Sequence, residues 1–171
     1  MNKEARLNCT RLSPHFTLGE LCKTSAKTAD GNIPSHVHIE NLKRLCVSWL
    51  EPLREEYNRK YGEGFACESL GTRPQQSSLP IVINSGYRSE AVNRAIGGVK
   101  GSNHLTGCAV DIRVDGMEQA IRYASILIDI SNERKEDFDE LLIEGKGFGS
   151  LWLHFAVRPS GNRRKIRFIQ T

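Results

Sequence analysis

Ser102-Asn103-His104-Leu105-Thr106-Gly107-Cys108-Ala109-Val110-Asp111 is the most informative stretch of this 171-residue chain. His104 sits in a polar, glycine-bearing segment that reads as a loop. Ala109 to Val114 then alternates like a strand, with Asp111 inside an otherwise apolar run. A buried carboxylate without a partner costs several kcal/mol, so Asp111 needs one, and a metal ion is one that serves. The anomaly recurs downstream in Leu151-Trp152-Leu153-His154-Phe155-Ala156-Val157, where His154 is the polar residue amid a strongly apolar strand. Two histidines and one carboxylate form a three-ligand set that leaves zinc a fourth position for water. Such a site polarises a carbonyl and lowers the pKa of water. Core histidines hydrogen-bonded to their neighbours are the competing reading of the same residues.

Outward from this stretch, helical signals dominate the N-terminal half. Thr17-Leu18-Gly19-Glu20 has the capping-box pattern and predicts a short helix. Pro34 suits the first turn of a longer one. Ile39, Leu42, Leu45, Cys46, Trp49, Leu50, Leu53 and Tyr57 fall at helical spacing and read as core, with Pro52 predicted to kink or restart the helix. Residues 61–80 read as a loop, Leu79 to Asn84 as a short buried strand, and Ser89 as the cap of a helix ended by Gly97-Gly98. Met117, Ile121, Ala124 and Ile128 mark another helix. Glu140–Glu144, Leu151–Val157 and Lys165–Gln170 read as strands, the first two as a hairpin across a glycine-rich link. Helices first and strands late indicate one α+β domain over residues 1–171.

Composition excludes several classes. The hydrophobic fraction of 39% and charged fraction of 26% are ordinary for a globular protein, not for a disordered or collagen-like one. No run approaches the roughly 18 apolar residues that span a bilayer, so membrane insertion is not expected. Met1-Asn2-Lys3-Glu4-Ala5-Arg6 is charged and shows no signal-peptide core. Cys9, Cys22, Cys46, Cys67 and Cys108 are odd in number and form no C-x-x-C, which favours free thiols over a disulfide framework. Net charge is +4, and Arg158, Arg163, Arg164, Lys165 and Arg167 follow Val157 with no acid among them. That local surplus reads as a charged, solvated edge strand and turn, or as a surface for an anionic polymer. No aromatic residues interleave with it, as single-stranded nucleic acid would require, and no specific nucleic acid is expected.

Ser102-x-His104-x-x-Gly107-x-Ala109-x-Asp111 followed by Trp152-x-His154 resembles the zinc signature of the D-alanyl-D-alanine carboxypeptidase-like peptidases. That group includes vancomycin-resistance dipeptidases and phage endolysins. Ser85-Gly86-Tyr87-Arg88-Ser89, Val92-Asn93 and Gly97-Gly98 resemble the stretch before the first ligand in a phage- and bacterium-associated branch. Phe16-Thr17-Leu18-x-Glu20-Leu21, Leu50-x-Pro52-Leu53-Arg54, Phe138 to Glu144 and Asn162-Arg163 resemble further parts of that branch, in order.

The resemblance implies a Hedgehog/DD-peptidase-like fold, a central antiparallel sheet with flanking helices. It implies Zn2+ held by His104, Asp111 and His154. Arg88 would hold a substrate carbonyl or carboxylate, or stabilise a developing oxyanion, unless it is a structural arginine tying a turn to the fold. Ser102 would support the ligand loop. Many relatives place an acid three residues before the last histidine ligand, where this chain has Leu151. The nearest branch instead has a glutamate at the end of the preceding strand, matched by Glu144, which would be the general base or else a surface strand-end glutamate. Glu140 stands where that branch has glutamine, an added carboxylate that could pair with Arg88 or do nothing.

The expected activity is zinc-dependent cleavage of peptidoglycan stem peptides, of carboxypeptidase or L,D-endopeptidase type. The expected form is a monomer that stays cytoplasmic until released or exported, as a phage lysin is, and acts at the cell wall. The alternatives are an inactive wall-binding or phage structural module on the same fold and, more remotely, a nucleic-acid-binding protein.

Overall fold

The computed structural model describes residues 7, 9–62, 78–147 and 149–170. Met1–Arg6, Cys67 and most of the expected 61–80 loop lie outside the described residues. Helix α1 (Leu18–Leu21) is capped by Thr17, whose hydroxyl accepts from the Glu20 amide. Helix α2 (His36–Leu45) starts after Ser35, so Pro34 stands just outside the helix instead of in its first turn. It runs into a π-helical turn (Cys46–Leu50) and then α3 (Glu51–Tyr61), which carries Pro52 in its first turn. Pro52 has no N–H to give the Ser48 carbonyl four residues back. The wide turn accommodates that loss, and the Arg134 guanidinium donates to the Ser48 carbonyl in its place. The predicted stripe is buried from Leu42 to Tyr57.

Strands β1 (Ile83–Ser85), β2 (Ala109–Arg113), β3 (Glu140–Lys146), β4 (Ser150–Ala156) and β5 (Lys165–Gln170) form one sheet in the order β1-β2-β4-β3-β5. Strand β1 is shorter and later than Leu79–Asn84. Leu79 is tied to α3 instead, exchanging two hydrogen bonds between its backbone and the Asn58 side chain (2.6 and 2.9 Å). β3 and β4 form the expected hairpin, turning through Gly147 and Gly149. The expectation of an antiparallel sheet holds for four strands and fails for the fifth, because β5 runs parallel to β3. Residues 157–164 carry the chain from β4 around the start of β3 to its far side.

One sheet face is core. Val110, Ile112, Leu141, Leu153 and Phe155 meet Trp49 and Phe138, with the Trp49 and Phe155 rings 5.2 Å apart. Helix α4 (Glu90–Ala95) is capped by the Ser89 hydroxyl. Helix α5 (Met117–Arg134) forms where expected: Ala120, Tyr123, Ile126, Leu127 and Ile130 face inward, Ala124 and Ile128 pack partly on the core, and Met117 and Ile121 are exposed. Two apolar stripes overlap in that segment, and the one carrying Tyr123 wins by packing edge-on against Tyr57, 4.7 Å between centroids. Cys9, Cys22, Cys46 and Cys108 are free thiols. Among the described residues, no helix is long and apolar enough to cross a membrane.

Candidate metal centre

The other sheet face carries the chemistry. Asp111 on β2 pairs in register with His154 on β4, and His154 pairs with Leu142 on β3, so both polar side chains leave one rung on the same face. His104 arrives from outside the sheet, on a 3-10 turn (Asn103–Thr106) in which its own amide donates to the Ser102 hydroxyl. Gly107 closes the turn at φ +70°, a conformation that favours glycine, and an added Cβ would lie 2.6 Å from the His38 carbonyl oxygen. The sharp reversal there brings His104 back over the strand that holds Asp111.

The three side chains converge. His154 Nδ1 is 2.8 Å from Asp111 Oδ1, and His104 Nε2 is 3.2 Å from that oxygen and 3.3 Å from His154 Nδ1. All three residues are buried, at 2–7% exposure. One donor atom from each lies within 4.8 Å of the others. The outer ring nitrogens are occupied elsewhere. His104 Nδ1 lies 2.6 Å from the Gly86 carbonyl oxygen, to which it can only donate, so its Nε2 lone pair faces the cluster. His154 Nε2 lies 3.6 Å from Glu140 Oε2, which leaves Nδ1 to face inward. Two imidazole nitrogens and one carboxylate oxygen suit zinc, and backing of the outer nitrogens by acceptors is the usual support of such ligands.

The electrostatics are those of a charged cluster. Burial disfavours ionised Asp111, but His104 and His154 outweigh it and hold the carboxyl far below its ordinary range. Burial likewise disfavours the imidazolium of His154, yet Asp111 and Glu140 outweigh it and raise its pKa to about 9.

Arg88 is brought to the site, but onto Asp111. Its guanidinium donates to Asp111 Oδ2 and, through Nε, to Ser85 Oγ at 2.8 Å, while its amide donates to the His104 carbonyl at 3.1 Å. It therefore binds both the turn and the carboxylate. Glu144 shares the His154 face of the sheet, one step along the ladder opposite Trp152, and is half-buried. Its charge contributes to the raised pKa of His154. Leu151 is on the opposite face, packed on the core; an acid there would point away from the cluster.

Glu140 does neither of the things expected of it. It pairs with Lys165 (2.9 Å) and Arg163 (3.0 Å), not with Arg88, and lies against His154. Four of the five C-terminal cations are ion-paired while keeping access to water. Arg158 and Arg163 converge on the wholly buried Asp139 at 2.7 and 2.8 Å, and Arg164 meets Asp137 at 3.0 Å. Asp139 and Glu140 also accept from the Asn103 side chain, beside His104, at 2.8 and 3.1 Å. Sequence reasoning missed this network, and it missed Asn32. That side chain donates to the Cys22 and Tyr87 carbonyls and accepts from the Ser89 amide, which clamps the Arg88 turn. Gly31-Asn32 is a turn signal, but nothing local shows what the amide would bind. His15 pairs with Glu51 at 2.7 Å, and His38 stacks on Tyr87; neither belongs to the cluster.

A family model described as peptidase M15 matches residues 63–139 of the chain. The matched stretch holds Arg88, His104 and Asp111 and ends before Glu144 and His154. It supports the resemblance to the D-alanyl-D-alanine carboxypeptidase-like zinc peptidases, and it points to a metallopeptidase. No curated protein matches the chain.

Proposed function

We propose that this protein is a zinc-dependent peptidase acting on peptidoglycan stem peptides, of D-Ala-D-Ala carboxypeptidase or L,D-endopeptidase type, on a Hedgehog/DD-peptidase-like fold. The observation that carries the reading is the buried convergence of His104, Asp111 and His154 on one sheet face. When bound there, zinc supplies Lewis acidity toward a peptide carbonyl and lowers the pKa of water.

The rest falls to the chain's own side chains. Arg88 orients Asp111 by donating to Oδ2, and its fixed positive charge stabilises the negative charge developing on the carbonyl oxygen. Glu144 takes the proton of the attacking water and passes it to the leaving amine. Its place on the His154 face supports that role, whereas Leu151 has neither the chemistry nor the direction for it. The internal pairing of Arg158, Arg163, Arg164 and Lys165 favours a peptide partner over a nucleic acid. In this reading the protein is a monomer, reaches the wall by lysin-like release or by export, and acts there.

The test is zinc content by mass spectrometry of the purified protein and of His104→Ala, then peptidoglycan digestion with Glu144→Ala. The expected outcome is one zinc per chain, lost in His104→Ala and kept in Glu144→Ala, with stem-peptide cleavage lost in both. A zinc-free wild type would overturn the reading. A zinc-loaded wild type that binds the wall without cutting it would replace it with the inactive wall-binding module.

A further inference from the structure

Glu140 stands behind His154, on the side away from the ligand cluster. Its Oε2 is 3.6 Å from His154 Nε2 and accepts from Asn103 Nδ2 at 3.1 Å; its Oε1 meets Lys165 at 2.9 Å and Arg163 at 3.0 Å. The carboxylate is thus held from three sides, by two cations and an amide, with one edge turned to the ring. Both cations come from the segment that wraps the start of β3 and leads into β5. That segment is fastened in turn by Asp139, which takes both nitrogens of the Arg163 fork and reaches Asn103.

We propose that Glu140 is the positioning residue of His154, and that the C-terminal cations serve to hold Glu140 against the ring. Glu140 keeps the His154 proton on Nε2 and so presents Nδ1, the nitrogen 2.8 Å from Asp111, to the metal. An imidazole left without that partner can turn over or protonate the wrong nitrogen, and either costs metal affinity. The proposal rests on the reading of the cluster as a metal centre.

The experiment measures zinc affinity by chelator competition for the wild type, Glu140→Leu and Glu140→Gln, with circular dichroism to establish folding. Glu140→Leu removes the acceptor, and a loss of about 10–100-fold in affinity is expected. Glu140→Gln keeps an acceptor oxygen at the same place and should restore affinity to within a few-fold of the wild type. Equal affinity in Glu140→Leu and the wild type would overturn the proposal. So would an equal loss in both variants, which would assign the effect to the ion pairs with Lys165 and Arg163.

A second measurement needs no variant. Long-range 1H–15N spectra of the zinc-loaded wild type should show His154 protonated at Nε2 and coordinated through Nδ1, and the reverse assignment overturns the proposal. A wild type that binds no zinc overturns the metal-centre reading itself, a failure distinct from these.

Discussion

Asp111 and Asp139 are both carboxylates taken out of water, and the chain satisfies them in opposite ways. Asp139 is enclosed by the Arg158 and Arg163 guanidiniums, the Asn103 amide and the Arg163 backbone. Each partner is a fixed donor, and the arrangement is closed. Asp111 meets one fixed donor, Arg88, on Oδ2, while Oδ1 faces two imidazoles. Imidazoles trade a proton for a metal, so this second arrangement is open to a cation. A guanidinium stays protonated and cannot make that exchange. The nature of the partner, more than burial, separates a centre that can take a metal from a structural tie.

Substitution at the two acids should break the comparison most clearly. Asp111→Ala should abolish stoichiometric zinc, read by mass spectrometry, because one of three ligands is gone. Asp139→Asn removes no zinc ligand and should keep stoichiometric zinc, appearing chiefly as lost stability. Retained zinc in Asp111→Ala would erase the distinction.

Next in size is Glu144→Ala, on the open side of the comparison. It should lower stem-peptide hydrolysis by about 10²–10⁴-fold while zinc content stays at the wild-type level. A change in zinc instead of rate would make Glu144 part of the ligand support.

Asp139→Asn should cost about 2–4 kcal/mol at pH 7 in urea unfolding. That lies somewhat below the roughly 3–5 kcal/mol of a fully buried pair, because Arg158 and Arg163 keep some access to water. The pH dependence sharpens this. Burial opposes ionisation of Asp139, but Arg163, Asn103 and Arg158 outweigh it and hold its pKa below the ordinary value of about 3.9. A depressed folded pKa contributes stability that is present above the unfolded value and lost as pH falls toward the folded one. The wild type should therefore lose stability below about pH 4, and Asp139→Asn should show a flatter profile there.

Gly107→Ala should cost about 1–3 kcal/mol through strain at positive φ, and the clash with the His38 carbonyl should also loosen the His104 turn and weaken zinc binding. The smallest effect belongs to Arg167→Gln. Its side chain is exposed at the edge strand, and a stability change within about 0.5 kcal/mol is expected. A larger loss would mean that the basic segment acts as a whole and not through its paired members.

Much of the fold was legible wherever the signal was local. The Thr17 and Ser89 caps, the stripe from Leu42 to Tyr57, the disruption at Pro52 and the β3–β4 hairpin each follow from a few adjacent residues. On α5 the residues that marked the helix coincide only in part with its buried face, because two apolar sets lie side by side there and Tyr123 is the one that packs on Tyr57. The direction of β5 was illegible because alternation marks a strand without marking its neighbour. In the site, His104, Asp111 and His154 stood out as polar residues in apolar or glycine-bearing surroundings. Asp139 did not, since an acid near a strand start is ordinary, and Glu140 stood out only as a departure from the family pattern, which does not show its partners.

The sequence by itself determined which residues could not remain alone: an aspartate and a histidine inside apolar strands must find partners, because desolvating them unpaired is too costly. Only the tertiary structure decided which partners they found. It placed Asp111 and His154 on one rung, folded His104 over them through Gly107, and wrapped the C-terminal segment around β3 so that its cations met Asp139 and Glu140. The reason is physical. A polar residue in an apolar run is a local fact, whereas strand register and the path of a connection depend on packing between segments far apart in the chain.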